Sequence, residues 1–571
     1  MRNKLLLLPA STWVFFLFWI LYFGFFWSYV VVEKPDGAVF AQNINVWGDW
    51  AVHYTIGSAF AFRTLSPVNG PLLIGEPLQY PFLADWISGI LIRFGMPFFQ
   101  AFITPSFIFS LLTVASLYYF YYVLSKSHLL AKLASLIFLL NGGLGFLYFF
   151  VDAWQSNSFL KFLINLPREY TRMPELGIQW ISVIQSMIIP QRSFTFGFPI
   201  ALLLLSLFYK SFLTAKKTPS LVATLTLVFG LSLQPLLHTH SYIAAGLIMS
   251  SWSLLHLSKQ KTRTAIWRAV LRLGLLGGVV SIFANLILVF FLDAQSKFSF
   301  IKWFPGWYAS DLGVSPINFW IQNWGPTLVV GLLLFILTFF ISKKERLTHL
   351  LTFGPFILLF ILPNLFLFQP WIWDNTKQFI WSSVGISLLA ANGIMVLWKQ
   401  NRIKMLAKFS AAILLICMTL SGGIDTLRII EFSTHSYQEY SAEEMVLADW
   451  VNSNTPASSI WITGDPHNHW LYNLTGRQSF LTFRGWLWSH GYDYYSKETE
   501  LRNFFHDPGS NNLQEKYGVT NAVVGPNAIR VWDANVADFE KYYKVIYKTE
   551  NYALFDLTHR LAPPPEPWKT E

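Results

Sequence analysis

The side chains of this sequence that can do chemistry lie in five short polar clusters, each beside a long apolar run. In Trp47-Gly48-Asp49-Trp50-Ala51-Val52-His53-Tyr54, Asp49 and His53 are four residues apart and share one face of a helix. There the carboxylate orients the imidazole, or the two bind a divalent cation (Mg or Mn) or an acceptor hydroxyl. The segment Pro71 to Pro81 leads through Tyr80 into Asp85, and its Pro and Gly set a non-helical path that protein or a wet cavity must cover near a bilayer. Gln191 and Arg192 stand where an apolar run begins, so the guanidinium fork and the positive end of a helix dipole suit a phosphate oxygen. His238 and His240 flank Thr239; they can ligate a metal if the chain is extended, but no third ligand is adjacent, and interfacial hydrogen bonding is the alternative. Trp373, Asp374 and Lys377 suit a sugar face or a polyprenyl-phosphate headgroup, although an aromatic belt has the same composition.

Nearer the C-terminus, Asp465 to Trp470, Gly476-Arg477 and Arg484 to Gly491 concentrate His, Arg and Trp outside any apolar run. Substrate contacts are expected from Trp47, Tyr80, Asp85, His238, His240, Trp373, Asp374, His467, His469, Arg484, Trp488 and His490, the last five in a roof over an active cavity. Asn473-Leu474-Thr475 matches a glycosylation acceptor. The sequence has no Gly-rich phosphate loop and no His-Glu-x-x-His pattern, which leaves cytosolic nucleotide hydrolysis unsupported.

The elements that position these groups are membrane spans. Of 571 residues 54% are hydrophobic, 18% aromatic and 13% charged, against about 25% charged in a soluble domain. Apolar runs begin near residues 12, 99, 129, 194, 219, 241, 270, 327, 349, 377 and 407, with weaker stretches at 82–97 and 177–190. A crossing needs about twenty such residues, so roughly eleven to thirteen spans are expected. The stretch from Arg2 and Lys4 to Val32 reads as an uncleaved first span, its apolar region being too long for a signal peptide. The net charge of +10 comes from Lys and Arg gathered in short loops, which a membrane explains better than nucleic acid. Cys417 is the single cysteine, so this chain alone makes neither a disulfide framework nor a thiolate metal site.

Basic clusters at Lys210/Lys216/Lys217, Lys259/Lys261/Arg263, Lys343/Lys344/Arg346 and Lys399/Arg402/Lys404 mark cytoplasmic loops. The loops at 32–80, 238–240, 293–326 and 369–377 and the C-terminal part then face outward. The side occupied by 152–176 stays open, because it depends on whether 82–97 and 177–190 cross. After Tyr437 the pattern reads as α/β: helices over 442–451 and 469–474, strands over 459–463, 479–483 and 520–524, and a hairpin of 544–547 with 552–555. The expected organisation is a membrane module over 1–436 with a first outward loop at 32–81, an extramembrane α/β domain over 437–560 and a disordered tail over 561–571.

An uncleaved first span, a long outward loop with Asp49 near its start, a Tyr80-Pro81 entry to the next hydrophobic segment, many further spans and an outward C-terminal domain together resemble the GT-C superfamily of membrane glycosyltransferases. Protein O-mannosyltransferases, aminoarabinose transferases of lipid A and oligosaccharyltransferases belong to it. The resemblance implies a multi-pass plasma (inner) membrane enzyme of the cell envelope. It would move a sugar from a polyprenyl-phosphate donor to a glycan, lipid or protein acceptor on the extracytoplasmic face. The family's first-loop acid maps onto Asp49 as general base or metal-linked acceptor contact; this sequence has a lone Asp with His53 one turn on, not an acidic pair. The donor phosphate would fall to Arg192, Gln191 and Lys377. A secondary transporter or lipid-linked precursor flippase is the competing reading, against which the position of the clusters at span ends argues.

Overall fold

The computed structural model describes residues 8–64, 66, 70–214, 219–291, 301–401, 403–431, 435–509 and 512–561. Arg2, Lys4, Lys216, Lys217, Arg402 and the tail from 562 onward lie outside the described residues. The chain divides into two compact units: residues 1–28, 106–287 and 299–434 form one, and 29–105, 288–298 and 435–571 the other.

The first unit is helical. Among the described residues eight helices are long and apolar enough to cross a membrane: Ala10–Tyr29, Phe98–Ser125, Arg192–Thr214, Arg263–Phe290, Pro316–Phe340, Lys343–Leu365, Ile372–Trp398 and Lys404–Arg428. Phe98–Ser125 begins in the second unit and runs on into the first. The runs expected from 129, 219 and 241 are also helices, at His128–Leu140, Leu221–Ser232 and Thr239–Ser258, the first two shorter than a full crossing. Thr376–Trp398 is the central helix: its residues from Gln378 to Ala391 are all buried, and it packs against Pro316–Leu337, Lys343–Leu365, His128–Leu140 and Lys404–Arg428. Such a helix, apolar on every side, belongs inside a bundle. The two weaker stretches do not form long helices. Leu83–Arg93 has 11 residues, about 16 Å of helix against about 30 Å of hydrocarbon, and 177–190 holds only a five-residue π turn, Ile184–Ile188.

In the second unit the chain returns to its own first loop. Val31–Glu33 pairs antiparallel with Val39–Ala41, which pairs with Tyr437–Tyr440. The register steps by one residue between Val39↔Tyr440 and Phe40↔Gln438, leaving Glu439 as the extra residue of a bulge. A second, five-stranded sheet runs in the order Gln478–Ser479, Ile460–Ile462, Asn521–Val524, Ala553–Arg560, Tyr543–Lys548. Its first three strands are parallel and the last two form the antiparallel hairpin expected from the sequence. Ala442–Asn454 starts with a capping box between Ser441 and Glu444, which explains why that helix was readable.

Candidate functional site

The Ile44–Ser58 helix begins at Asn43, whose side chain accepts from the Asn45 and Val46 amides. Its expected Asp49/His53 face exists, with Asp49 half-buried and His53 buried. The partner of the imidazole, however, comes from elsewhere: Nδ1 of His53 lies 2.8 Å from Oδ2 of Asp85, on Leu83–Arg93. The two side chains are 1% and 0% exposed. Asp85, expected to contact substrate, thus lies within hydrogen-bond distance of the His53 ring.

Two glycines let these helices approach. Gly57 and Gly89 stand one turn after His53 and Asp85. A Cβ on Gly89 would lie 2.6 Å from the Phe60 Cβ and 2.9 Å from the Gly57 carbonyl oxygen. The spacings His-x-x-x-Gly and Asp-x-x-x-Gly were visible in the sequence and could have linked the helices. Tyr80 stands beside the pair, its ring 5.8 Å from that of His53 and 4.8 Å from that of His490. The irregular Pro71–Pro81 path is covered by protein: the Ile74 amide donates to the Phe480 carbonyl and the Thr482 hydroxyl to the Leu72 carbonyl.

The C-terminal candidates separate by partner. Trp47 donates its indole N–H to the Gln438 carbonyl at 2.8 Å and meets the His467 ring edge-on at 4.3 Å. Burial lowers the His467 pKa. His469 is buried; its Nδ1 accepts from the Leu471 amide as a helix cap, and burial brings its pKa down to about 3. Arg484 pairs with Asp465 and Glu498 and stacks over Trp532, while Trp488 is exposed. Asn473 contradicts the glycosylation reading: it is fully buried, and its amide donates to the Ala51 and His467 carbonyls.

The other candidates lie in the first unit. Arg192 is buried at the start of its span, donates Nη1 to Ser106 Oγ at 2.7 Å and sits 5.5 Å from the Phe196 ring centre. Gln191 is the residue before that helix. His238 caps Thr239–Ser258 with Nδ1 2.7 Å from Ser241 Oγ, its ring lies 5.3 Å from that of His240, and its buried Nε2 has no hydrogen-bond partner among the described residues. Lys377 is bonded to Asp374 at 2.8 Å, so a phosphate would have to compete with that carboxylate. Trp373 joins an aromatic group with Trp307 and Tyr308.

Two acids escaped sequence reasoning. Asp425, buried in Lys404–Arg428, accepts from the Tyr170 and Thr171 amides at 2.8 and 2.7 Å. Glu439 is 5% exposed with neither carboxylate oxygen hydrogen-bonded among the described residues, and burial raises its pKa to about 8. No local pattern marks either one. Among the described residues no group of three His, Cys, Asp or Glu side chains converges as a metal site. With Nδ1 of His53 held by Asp85, Asp49 and His53 offer one carboxylate and one ring nitrogen, which does not fit Mg or Mn, ions that favour oxygen-rich shells.

No family model matches the sequence, and no curated protein matches it. Solved structures do. The apo oligosaccharyltransferase of Archaeoglobus fulgidus superposes with a TM-score of 0.52 at 11% identity, over 93% of this chain and 72% of the other. ArnT from Cupriavidus metallidurans, crystallised with undecaprenyl phosphate, superposes with a TM-score of 0.51 at 12% identity, over 96% and 98% of the two chains. The protein thus has the GT-C fold of multi-pass membrane glycosyltransferases, with an α/β C-terminal part.

Proposed function

We propose that this protein transfers a sugar from a polyprenyl-phosphate donor to an acceptor hydroxyl at the extracytoplasmic face of the plasma membrane. The observation that carries the reading is the buried His53–Asp85 contact, built by the first loop of a GT-C fold, one helical turn from Asp49. Asp85 accepts from Nδ1–H of His53, which leaves Nε2 as the basic nitrogen. Asp49 orients the acceptor. As the acceptor oxygen bonds to the anomeric carbon, the bond from that carbon to the phosphate oxygen breaks; the acceptor proton passes to His53, and polyprenyl phosphate leaves with the electron pair. Asp85 stabilises the imidazolium, as a carboxylate behind a catalytic histidine does in other enzymes. A single displacement inverts the anomeric configuration.

Arg192, buried at the start of its span, and Lys377, which is paired with Asp374, are the cations assigned to the donor phosphate. The test is transfer by purified protein from a panel of polyprenyl-phosphate sugars. His53→Ala and Asp85→Asn are expected to lower turnover about 10²- to 10⁴-fold, and Arg192→Ala to weaken donor use. Full turnover by His53→Ala would remove the proposed base, and lipid translocation without transfer would favour the flippase.

A further inference from the structure

Two short helices, Phe146–Gln155 and Phe159–Ile164, form a hairpin that is apolar on both faces. One face is core: Phe149 and Phe162 pack with Tyr170, Met173 and Ile178. The other carries Leu147, Phe150, Trp154, Phe159, Leu160 and Ile164, with Trp154 91% and Leu160 69% exposed. At about 15 and 9 Å these helices cannot cross about 30 Å of hydrocarbon. A contiguous exposed apolar patch of this kind needs an occupant.

The hairpin's anchors fix its depth. The Phe146 amide donates to Ser421 Oγ at 2.8 Å, and the Tyr170 and Thr171 amides donate to Asp425, all in the last two turns of Lys404–Arg428. The Leu144 amide donates to the Gln322 carbonyl, and Asn323 accepts from the Gln179 and Trp180 amides, all near the start of Pro316–Leu337. The basic clusters stand at the opposite ends of both spans, Lys399 and Lys404 before the one and Lys343, Lys344 and Arg346 after the other. Phe146–Gln155 also packs on Lys404–Arg428, a helix long and apolar enough to cross a membrane that itself exposes Ile413, Ile416 and Leu427. Asp152, the acid of the first helix, is neutralised by a paired contact with Arg168.

We propose that this hairpin is a non-spanning membrane element, lying in the outer leaflet at headgroup level with its exposed face against lipid. Amphipathic elements at that level bury their apolar side about 5–10 Å into the headgroup and acyl boundary. The side of the loop 152–176, open in the sequence, is then extracytoplasmic.

Spin labels at Trp154→Cys and Leu160→Cys, in a Cys417→Ala background reconstituted in nanodiscs, test the proposal. Collision with oxygen and with a nickel chelate is compared with Leu275→Cys on the exposed face of Arg263–Phe291 and with Ser458→Cys in the C-terminal part. Both hairpin labels are expected to favour oxygen over the chelate more than position 458 and less than position 275. A ratio like that of 458 means water, a ratio like that of 275 means the hydrocarbon centre, and access to neither reagent means cover by protein such as a second copy; each overturns the proposal. Asn157→Cys in intact cells should react with an impermeant maleimide from outside, and reaction only after permeabilisation overturns the outer-leaflet assignment.

Discussion

Replacing Glu439 by Gln removes an ionisable group from a buried site where, among the described residues, its carboxylate has no hydrogen-bond partner. Glu439 is 5% exposed on the bulge between Val39–Ala41 and Tyr437–Tyr440, neither of its oxygens is hydrogen-bonded among the described residues, and burial raises its pKa from 4.5 to about 8. The folded state therefore holds its proton over a range in which the unfolded chain has lost it. Stability from this group is unaffected below about pH 4.5, falls as pH rises from there to about 8, and then stays low. Each pH unit in that window is worth about 1.4 kcal/mol, so the full loss is on the order of 5 kcal/mol. Glutamine has the same shape and no charge to expose, and abolishes the slope. Thermal denaturation of wild type and Glu439→Gln in the same detergent, stepped from pH 4 to 9, reads the difference. The two should melt together at pH 4, and the variant should melt higher at pH 8.5, by about 2–4 °C for each kcal/mol. Parallel curves, or a variant less stable at pH 8.5 than the wild type, would refute the account of Glu439 as a buried, uncompensated acid.

Gly89→Ala should destabilise by about 1–3 kcal/mol, because the new Cβ meets the Phe60 Cβ and the Gly57 carbonyl; it should also reduce sugar transfer by parting His53 from Asp85, which melting and turnover measured together would separate from a purely structural loss. Asp425→Ala leaves the buried Tyr170 and Thr171 amides without their acceptor, at about 1–3 kcal/mol each, and should speed hydrogen exchange at both. Asp425→Asn keeps one acceptor oxygen and should lie between; unchanged exchange at Tyr170 in the alanine variant would show that the carboxylate does not hold that strand of chain.

Elements with a local code were legible from residues alone. Long apolar runs became helices because a backbone removed from water must satisfy its own hydrogen bonds, and the onsets near 12, 99, 194, 349, 377 and 407 lie close to span starts, whereas that near 327 falls inside Pro316–Phe340, just past the non-helical Gly325, so part of the expected outward loop 293–326 is helix. Ala442–Asn454 carries a capping box, and the 543–548/553–560 hairpin carries strand alternation around a turn. The weaker stretches at 82–97 and 177–190 misled because hydropathy measures average apolarity and not continuity: one is a helix of about three turns carrying Asp85, the other mostly irregular chain.

Composition and spacing by themselves determined that this is a multi-pass membrane protein with an α/β end, and that Asp49 and His53 share a helical face, because periodicity and hydrophobic length act within one segment. Pairings across sequence were decided only in three dimensions. Asp85 reaches His53 from 32 residues away because Gly57 and Gly89 let two helix backbones touch. Asn473 looks like an exposed acceptor in sequence and is buried against Ala51 and His467, 422 and 6 residues away. No local pattern marks Glu439, and only the returning pairing of Tyr437–Tyr440 with Val39–Ala41 buries it. The physical reason is the same in each case: burial and charge are properties of what packs around a side chain, and those neighbours come from distant parts of the chain.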